Sequence, residues 1–238
     1  MSKINWKPGT FLYPLPVVMV SCGDMDKSNI LTVAWTGIIN TDPAMCYISV
    51  RKERYSHDII KKNKEFVINF TTKDLAYVTD FCGVRSGRDV DKFKEMRLTK
   101  EKCKFVKCPA IAESPVSVEC KVKKIVENGS HDMFISEILS INVDEKYIDK
   151  NGKFDITKLN LVAYANGHYM ELGKVVGTFG YSVQKKNEKR LRNRELAKRN
   201  NNDTKNIKEV KKSIKKIVKT NKKNNTKKVV NKKKKNRK

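Results

Sequence analysis

The chain has 238 residues and a formal net charge of +26, yet residues 184–238 alone carry 25 of its 52 Lys+Arg and only 4 of its 26 Asp+Glu. What precedes them is nearly charge-balanced and long enough for one sizeable core, whereas the Lys/Asn-rich remainder lacks the apolar surface to offset its own ordering entropy. No stretch approaches the roughly 18 apolar residues of a membrane-spanning helix, and residues 1–16 hold no apolar leader core.

In chain order, Val17–Cys22 is a short apolar strand closed by Gly23-Asp24. From Ser28 to Phe70 the chain reads strand, bend, turn, strand, basic cluster, helix, strand. Ile30–Gly37 and Ala44–Val50 are rich in β-branched and aromatic residues, and Thr41-Asp42-Pro43 turns between them. Arg51, Lys52 and Arg54 lead into Ser56, which is placed to cap a helix over His57–Lys62. Thr72 is placed to cap a second helix over Lys73–Phe81, with Gly83 as its stop and Arg85–Lys92 as a charged loop. Pro115–Val122 alternates Val116, Val118, Cys120 and Val122 against Ser117, Glu119 and Lys121. Lys123-Lys124 breaks that alternation and predicts a bulge or exposed edge, and Asn128-Gly129 turns the chain back through Met133–Val143. Many strands with few helices predict a small antiparallel barrel rather than a parallel α/β sheet.

The chemistry is sparser. No G-x-G-x-x-G follows a strand and no G-x-x-x-x-G-K-[ST] occurs, so dinucleotide and triphosphate fingerprints are absent. No Ser/His/Asp, Cys/His or paired-carboxylate arrangement stands out. Cys103-x4-Cys108 has neither a second pair nor a nearby histidine and reads as structural rather than zinc-binding. All six cysteines are expected as free thiols in a reducing cytoplasm. Three cations beside a helix start fit an anion site, but composition alone favours an ordinary capped surface helix with solvated charges. Trp35 reads as core or as an aromatic wall for a ligand.

The run Ser28–Phe70, the segment Cys82-Gly83-Val84-Arg85-Ser86-Gly87-Arg88-Asp89-Val90-Asp91-Lys92-Phe93, and the segment Gly167-His168-Tyr169-Met170-Glu171-Leu172-Gly173-Lys174-Val175-Val176-Gly177 occur in this order. Together they resemble the flavin reductase-like FMN-binding split-barrel family, within it the flavoredoxin branch, over residues 10–185. The resemblance implies a mainly β, antiparallel split barrel with a few helices. It also implies a homodimer, and an FMN-dependent oxidoreductase passing electrons from NAD(P)H or another donor to a flavin or protein acceptor; a non-catalytic FMN carrier is the alternative. Carried onto this chain, it assigns Arg54 and Ser56 to the FMN phosphate and leaves Arg51 and Lys52 undecided. Asn29, Trp35, Thr36 and Gly37 are assigned to the isoalloxazine, and Lys92 to the ring edge or the phosphate. His131 is expected to reach a flavin across the dimer interface, and Tyr164 to lie over the flavin or to pack in the core. His57 and His168 are read as structural.

Residues 186–238 fall outside the resemblance. They read as a disordered basic extension, or alternatively as an amphipathic helix through Ile207, Val210, Ile214, Ile217 and Val218. With no aromatic residue after Tyr181, any polyanion or nucleic-acid binding there is phosphate-driven and without sequence preference.

Overall fold

The computed structural model describes residues 1–183, and the Ile207–Val218 segment lies outside them. The chain divides into two units, Met1–Leu172 and Gly173–Lys238. In the described part of the second unit, residues 179–182 form turns, with Tyr181 N–H donating to Thr178 O at 2.9 Å.

The first unit runs β1 Leu15–Pro16, β2 Val18–Gly23, β3 Ser28–Val33, β4 Thr36–Thr41, β5 Ala44–Arg51, α1 Tyr55–Asn63, β6 Glu65–Phe70, α2 Ala76–Val84 and α3 Lys92–Glu95. It continues through β7 Lys100–Glu101, β8 Ala110–Ile111, β9 Val116–Asn128, β10 His131–Val143, β11 Val162–Ala165 and β12 His168–Glu171. Seven strands form one antiparallel sheet in the order β3-β2-β6-β9-β10-β5-β4, so the mainly β, antiparallel expectation is met. A smaller sheet, β1-β11-β12, joins it through a bridge between Thr72 and Leu161.

Several local expectations are corrected. The strand over Ile30–Gly37 is two strands, because the chain leaves the ladder at Ala34-Trp35 and β4 pairs with β5 while β3 pairs with β2. Ser56 does not cap α1: Arg54 holds the cap position, and Ser56 sits inside the first turn with its hydroxyl accepting from Asn29 Nδ2 at 2.7 Å. Thr72 precedes only a 3-10 turn, Lys73–Leu75, without a side-chain cap, and α2 runs through Gly83 to Val84. Gly83 lies inside the helix as a packing glycine, since a Cβ there would stand 3.2 Å from Thr32 Cβ. The bulge at Lys123 is present, since Ile135 pairs with Lys124 and Ser136 with Val122.

The barrel interior is filled by Val20, Leu31, Val33, Ile48, Val50, Ile60, Phe66, Val118, Cys120 and Phe134. β2 is buried on both faces because Met19 and Ile30 also pack outward against Leu75, Cys82 and Phe93 of the helical layer. β9 behaves likewise. Its polar residues Ser117 and Glu119 are not a solvated face; they are buried beneath the irregular segment 103–111. That segment makes few regular ladder bonds, so its backbone N–H groups need other acceptors. Glu119 supplies them, accepting from Lys104, Phe105 and Val106 N–H at 3.2, 2.6 and 3.2 Å and from Asn142 Nδ2 at 2.9 Å. Asn69 Oδ1 adds Ile111 N–H and Ser117 Oγ, both at 2.9 Å.

Burial drives the Glu119 carboxyl up, but the hydrogen bonds from Asn142 and the three backbone groups outweigh it and hold the group below its ordinary value of 4.5. A lowered carboxylate contributes stability that is present above the unfolded value and lost as pH falls through the folded one. Glu119→Gln, which keeps the shape but puts an NH2 against N–H donors, is expected to cost about 2 kcal/mol, read from the denaturation midpoint at pH 7. The difference from wild type should shrink below pH 4.5, and a constant difference down to pH 2 would show that the charge is not the cause.

Candidate functional site

The basic cluster before α1 and the loop after α2 come together over β3. Between them lies a cavity of about 260 Å³ lined by Asn29, Glu53, Arg54, Tyr55, Ser56, Gly83, Arg85, Ser86, Gly87, Arg88 and Lys92. Asn29, Ser56 and Lys92 form its buried floor, at 3%, 1% and 3% exposure. Four cations line it against one carboxylate, Glu53, which is drawn off by Arg51 at 3.1 Å. The N-terminus of the nine-residue α1 adds the positive end of its dipole. The lining is strongly cationic.

The Lys92 ammonium donates to Ile30 O at 2.6 Å and Cys82 O at 2.7 Å, tying α3 to β3 and to α2. Burial, and more weakly the Arg54 charge, lower it to about 8. Burial pushes the Cys22 and Cys82 thiols up to about 11, so neither is a thiolate at neutral pH. Among the described residues no cluster of His, Cys, Asp or Glu is arranged to hold a metal ion.

A second cavity of about 460 Å³ adjoins the first, sharing Leu31, Thr32, Arg54 and Gly83. Its walls include Trp35, Arg51, Asp80, His131, Tyr164 and Tyr169. His131 stacks on Trp35 with ring centroids 4.5 Å apart at 35°. Burial and then the Arg51 charge lower the His131 value, which keeps the imidazole neutral at pH 7. Trp35, 37% exposed, is a wall and not core. Tyr164 lies edge-on to Tyr169 at 5.8 Å and to Tyr13 at 6.5 Å. Tyr169 Oη donates to Asp80 Oδ1 at 3.1 Å, and burial together with that carboxylate pushes the phenol well above its usual range.

His57 is buried beneath this arrangement. Its Nε2 faces Asp132 Oδ2 and its Nδ1 faces Asp58 Oδ1, both at 2.9 Å. Asp132 is fully buried and also receives Lys52 at 3.4 Å, so Lys52 belongs to this support and not to either cavity.

Arg54, Ser56, Asn29 and Lys92 are thus brought into one cavity, and Trp35, His131, Tyr164 and again Arg54 into its neighbour. Asn29 lies with the cations, away from Trp35, because it is fixed to Ser56. Thr36 and Gly37 are not brought to either. They line a third, apolar cavity of about 320 Å³ with Ile38, Cys46, Phe70 and Ile141. Past the break at Trp35, Thr36 Oγ1 is spent on Tyr47 O at 2.6 Å, and a Cβ at Gly37 would stand 3.1 Å from the Tyr47 ring. Sequence reasoning passed over Arg85 and Arg88, although both lie in the motif that carries Lys92. It also missed the Asp80–Tyr169 pair, whose partners are 89 positions apart and leave no local signal.

The fold has solved counterparts. The flavoredoxin of Desulfovibrio vulgaris (Miyazaki F) superposes with a TM-score of 0.71 at 29% identity, covering 77% of this chain and 100% of that one. The flavoredoxin from Methanosarcina acetivorans gives 0.70 at 28% identity over the same shares. An uncharacterized protein of Archaeoglobus fulgidus is 34% identical over 146 residues, 61% of this chain and 81% of that protein. With residues 10–173 matching the model of the Flavin reductase like domain, the chain belongs to the flavin reductase-like family, as a split barrel with a flavin-related redox function.

Proposed function

We propose that this protein is an FMN-dependent oxidoreductase that takes electrons from NAD(P)H or another donor in the cytoplasm and delivers them to a flavin or protein acceptor. The observation that carries the reading is the pair of adjoining cavities. One is polar, four-fold cationic and set at a helix start; the other is larger and walled by Trp35, His131, Tyr164 and Tyr169. A ligand with a phosphate at one end and a flat aromatic system at the other matches the two in size and character. Bound FMN would supply two-electron hydride chemistry, which needs stacking and proximity more than a protein acid or base.

The chain's own residues do the holding. Arg54 sits where both cavities meet, able to face a phosphate on one side and the ring compartment on the other. Ser56 and Asn29 present a hydroxyl and an amide already oriented on each other, so little freedom remains to be lost on binding. Neutral His131, stacked on Trp35, stiffens the aromatic wall without adding charge to it. Arg54→Ala is expected to weaken FMN binding by about 1.5–3 kcal/mol while leaving riboflavin, which lacks the phosphate, nearly unchanged. Equal losses for the two ligands in a fluorescence titration would remove the phosphate role.

The pH dependence follows from Lys92. Its value near 8 in the free protein means that the ammonium is present below pH 8 and lost above it. A phosphomonoester, with a second pKa near 6, is already a dianion throughout that range. FMN affinity should therefore be nearly flat up to about pH 7 and fall as pH rises through 8 and beyond. Lys92→Met should bind more weakly at pH 7 and lose the fall. A wild-type profile flat to pH 9.5 would rule Lys92 out of the phosphate interaction.

The same reading takes the working form as a homodimer. Its support is the sheet's terminal strand β4, which leaves Ile38 71% and Ile39 46% exposed beside Ile141 at 58%. Edge strands of this kind call for a cover. Ile38→Glu, which would bury an unpaired charge, should shift the sedimentation of the full chain from dimer to monomer at micromolar concentration. An unchanged dimer would place the interface elsewhere.

A further inference from the structure

Two of the four cations of the smaller cavity already span it. Arg54 Nη1 donates to Gly83 O at 2.9 Å, and Arg88 Nη1 donates to Glu53 O at 3.1 Å. Both bonds join the same two walls, the residues entering α1 and the residues at and after the end of α2. Their places differ. Arg54 and Gly83 line both cavities and so mark the boundary between them, whereas Arg88 and Glu53, exposed as Arg54 is, line only the smaller one, beyond that boundary.

The outer crossing is reinforced. The Arg88 guanidinium lies over the Tyr55 ring, 5.5 Å from its centroid, and the Arg88 backbone N–H donates to Ser86 Oγ at 3.2 Å, fixing the loop that carries it. The loop can lie so close only because position 87 is glycine. A Cβ there would fall 2.3 Å from Asn29 Oδ1 and 2.6 Å from Tyr55 Cδ1, so any side chain would lift the loop from the wall. A ligand laid from the aromatic cavity into the cationic one passes Arg54, tied by its bond to Gly83 O, and ends against the Arg88 crossing, which the Tyr55 ring reinforces. A terminal phosphate stops there with its charge met. A pyrophosphate that continues into an adenosine has to pass between Arg88 and Glu53 and part them.

We propose that Arg88, strapped to Glu53 and Tyr55 over the flush Gly87 loop, makes this site select a flavin phosphomonoester over a flavin dinucleotide. The inference rests on the flavin reading of the two cavities and adds the element that sets which flavin they accept. Arg88 acts here through shape. Charge alone does not discriminate, because the monoester and the pyrophosphate diester each present about two negative charges at neutral pH.

The test is titration of the full chain with FMN, FAD and riboflavin, followed by flavin fluorescence, for wild type, Arg88→Ala and Arg88→Lys. Wild type should prefer FMN to FAD by more than about tenfold, equivalent to about 1.4 kcal/mol. Arg88→Ala should bring that ratio close to one, whatever it does to absolute affinity, since the lost charge affects both ligands alike. Arg88→Lys keeps the charge but loses the planar fork and its stacking on Tyr55, and should relax the ratio while holding FMN within a few-fold of wild type. It also serves as the decisive variant if Arg88→Ala melts early. Equal binding of FMN and FAD by wild type, or a ratio unchanged in both variants, overturns the proposal while leaving the FMN reading intact. Failure of wild type to bind FMN at all overturns the underlying reading, and this proposal with it.

Discussion

Residues 57 and 132 are 75 positions apart in the chain, and the hydrogen bond between His57 Nε2 and Asp132 Oδ2 settles how two distant pieces of the site face each other. His57 belongs to the first turn of α1, immediately after Ser56 and close to Arg54. Asp132 follows His131 at the start of β10. Joining them fixes the cationic cavity to the Trp35–His131 wall. The pair is costly to bury, and Asp132 is fully inaccessible, so it persists only because Lys52 and His57 answer its charge. Burial drives the Asp132 carboxyl up, while His57 and Lys52 more than reverse that and keep it ionised. Removing His57 would leave the buried Asp132 carboxylate short of a hydrogen bond, so the pair behaves as a single structural unit.

The rest of the site is built by the same division of labour. Side chains that look like ligands are mostly spoken for by backbone. Lys92 clamps Ile30 and Cys82, Arg54 reaches Gly83, and Arg88 reaches Glu53. Each of them both shapes a cavity and supplies its charge, which leaves the compartment preorganised.

Much of the barrel was legible because alternation and turn chemistry are local signals. The Asn128-Gly129 hairpin and the Lys123 bulge stand where the residues put them. The misreadings share one cause: tertiary contacts overrode local preference. Ser56 has cap chemistry, yet Asn29 takes its hydroxyl from across the fold. Gly83 has stop chemistry, yet Thr32 makes it a packing glycine inside a helix. Glu119 sits in a pattern that marks a wet face, yet the 103–111 segment covers it and uses its oxygens. The basic cluster, Trp35 and His131 were visible as candidates. Which cavity each belongs to depends on the chain break at Ala34-Trp35, and nothing in composition or spacing announces that Thr36 and Gly37 end up on the far side of it.

All six cysteines are free and buried, spread over β2, β5, α2, β9 and the 103–111 segment. Thiols placed in this way are silent reporters. Alkylation needs a thiolate in contact with reagent, and burial holds the Cys22 and Cys82 thiols at about 11 and the Cys103 thiol at about 12. Each of these three therefore reacts only when its own layer opens. The order in which they are modified would chart which parts of the barrel part company first, without any engineered label.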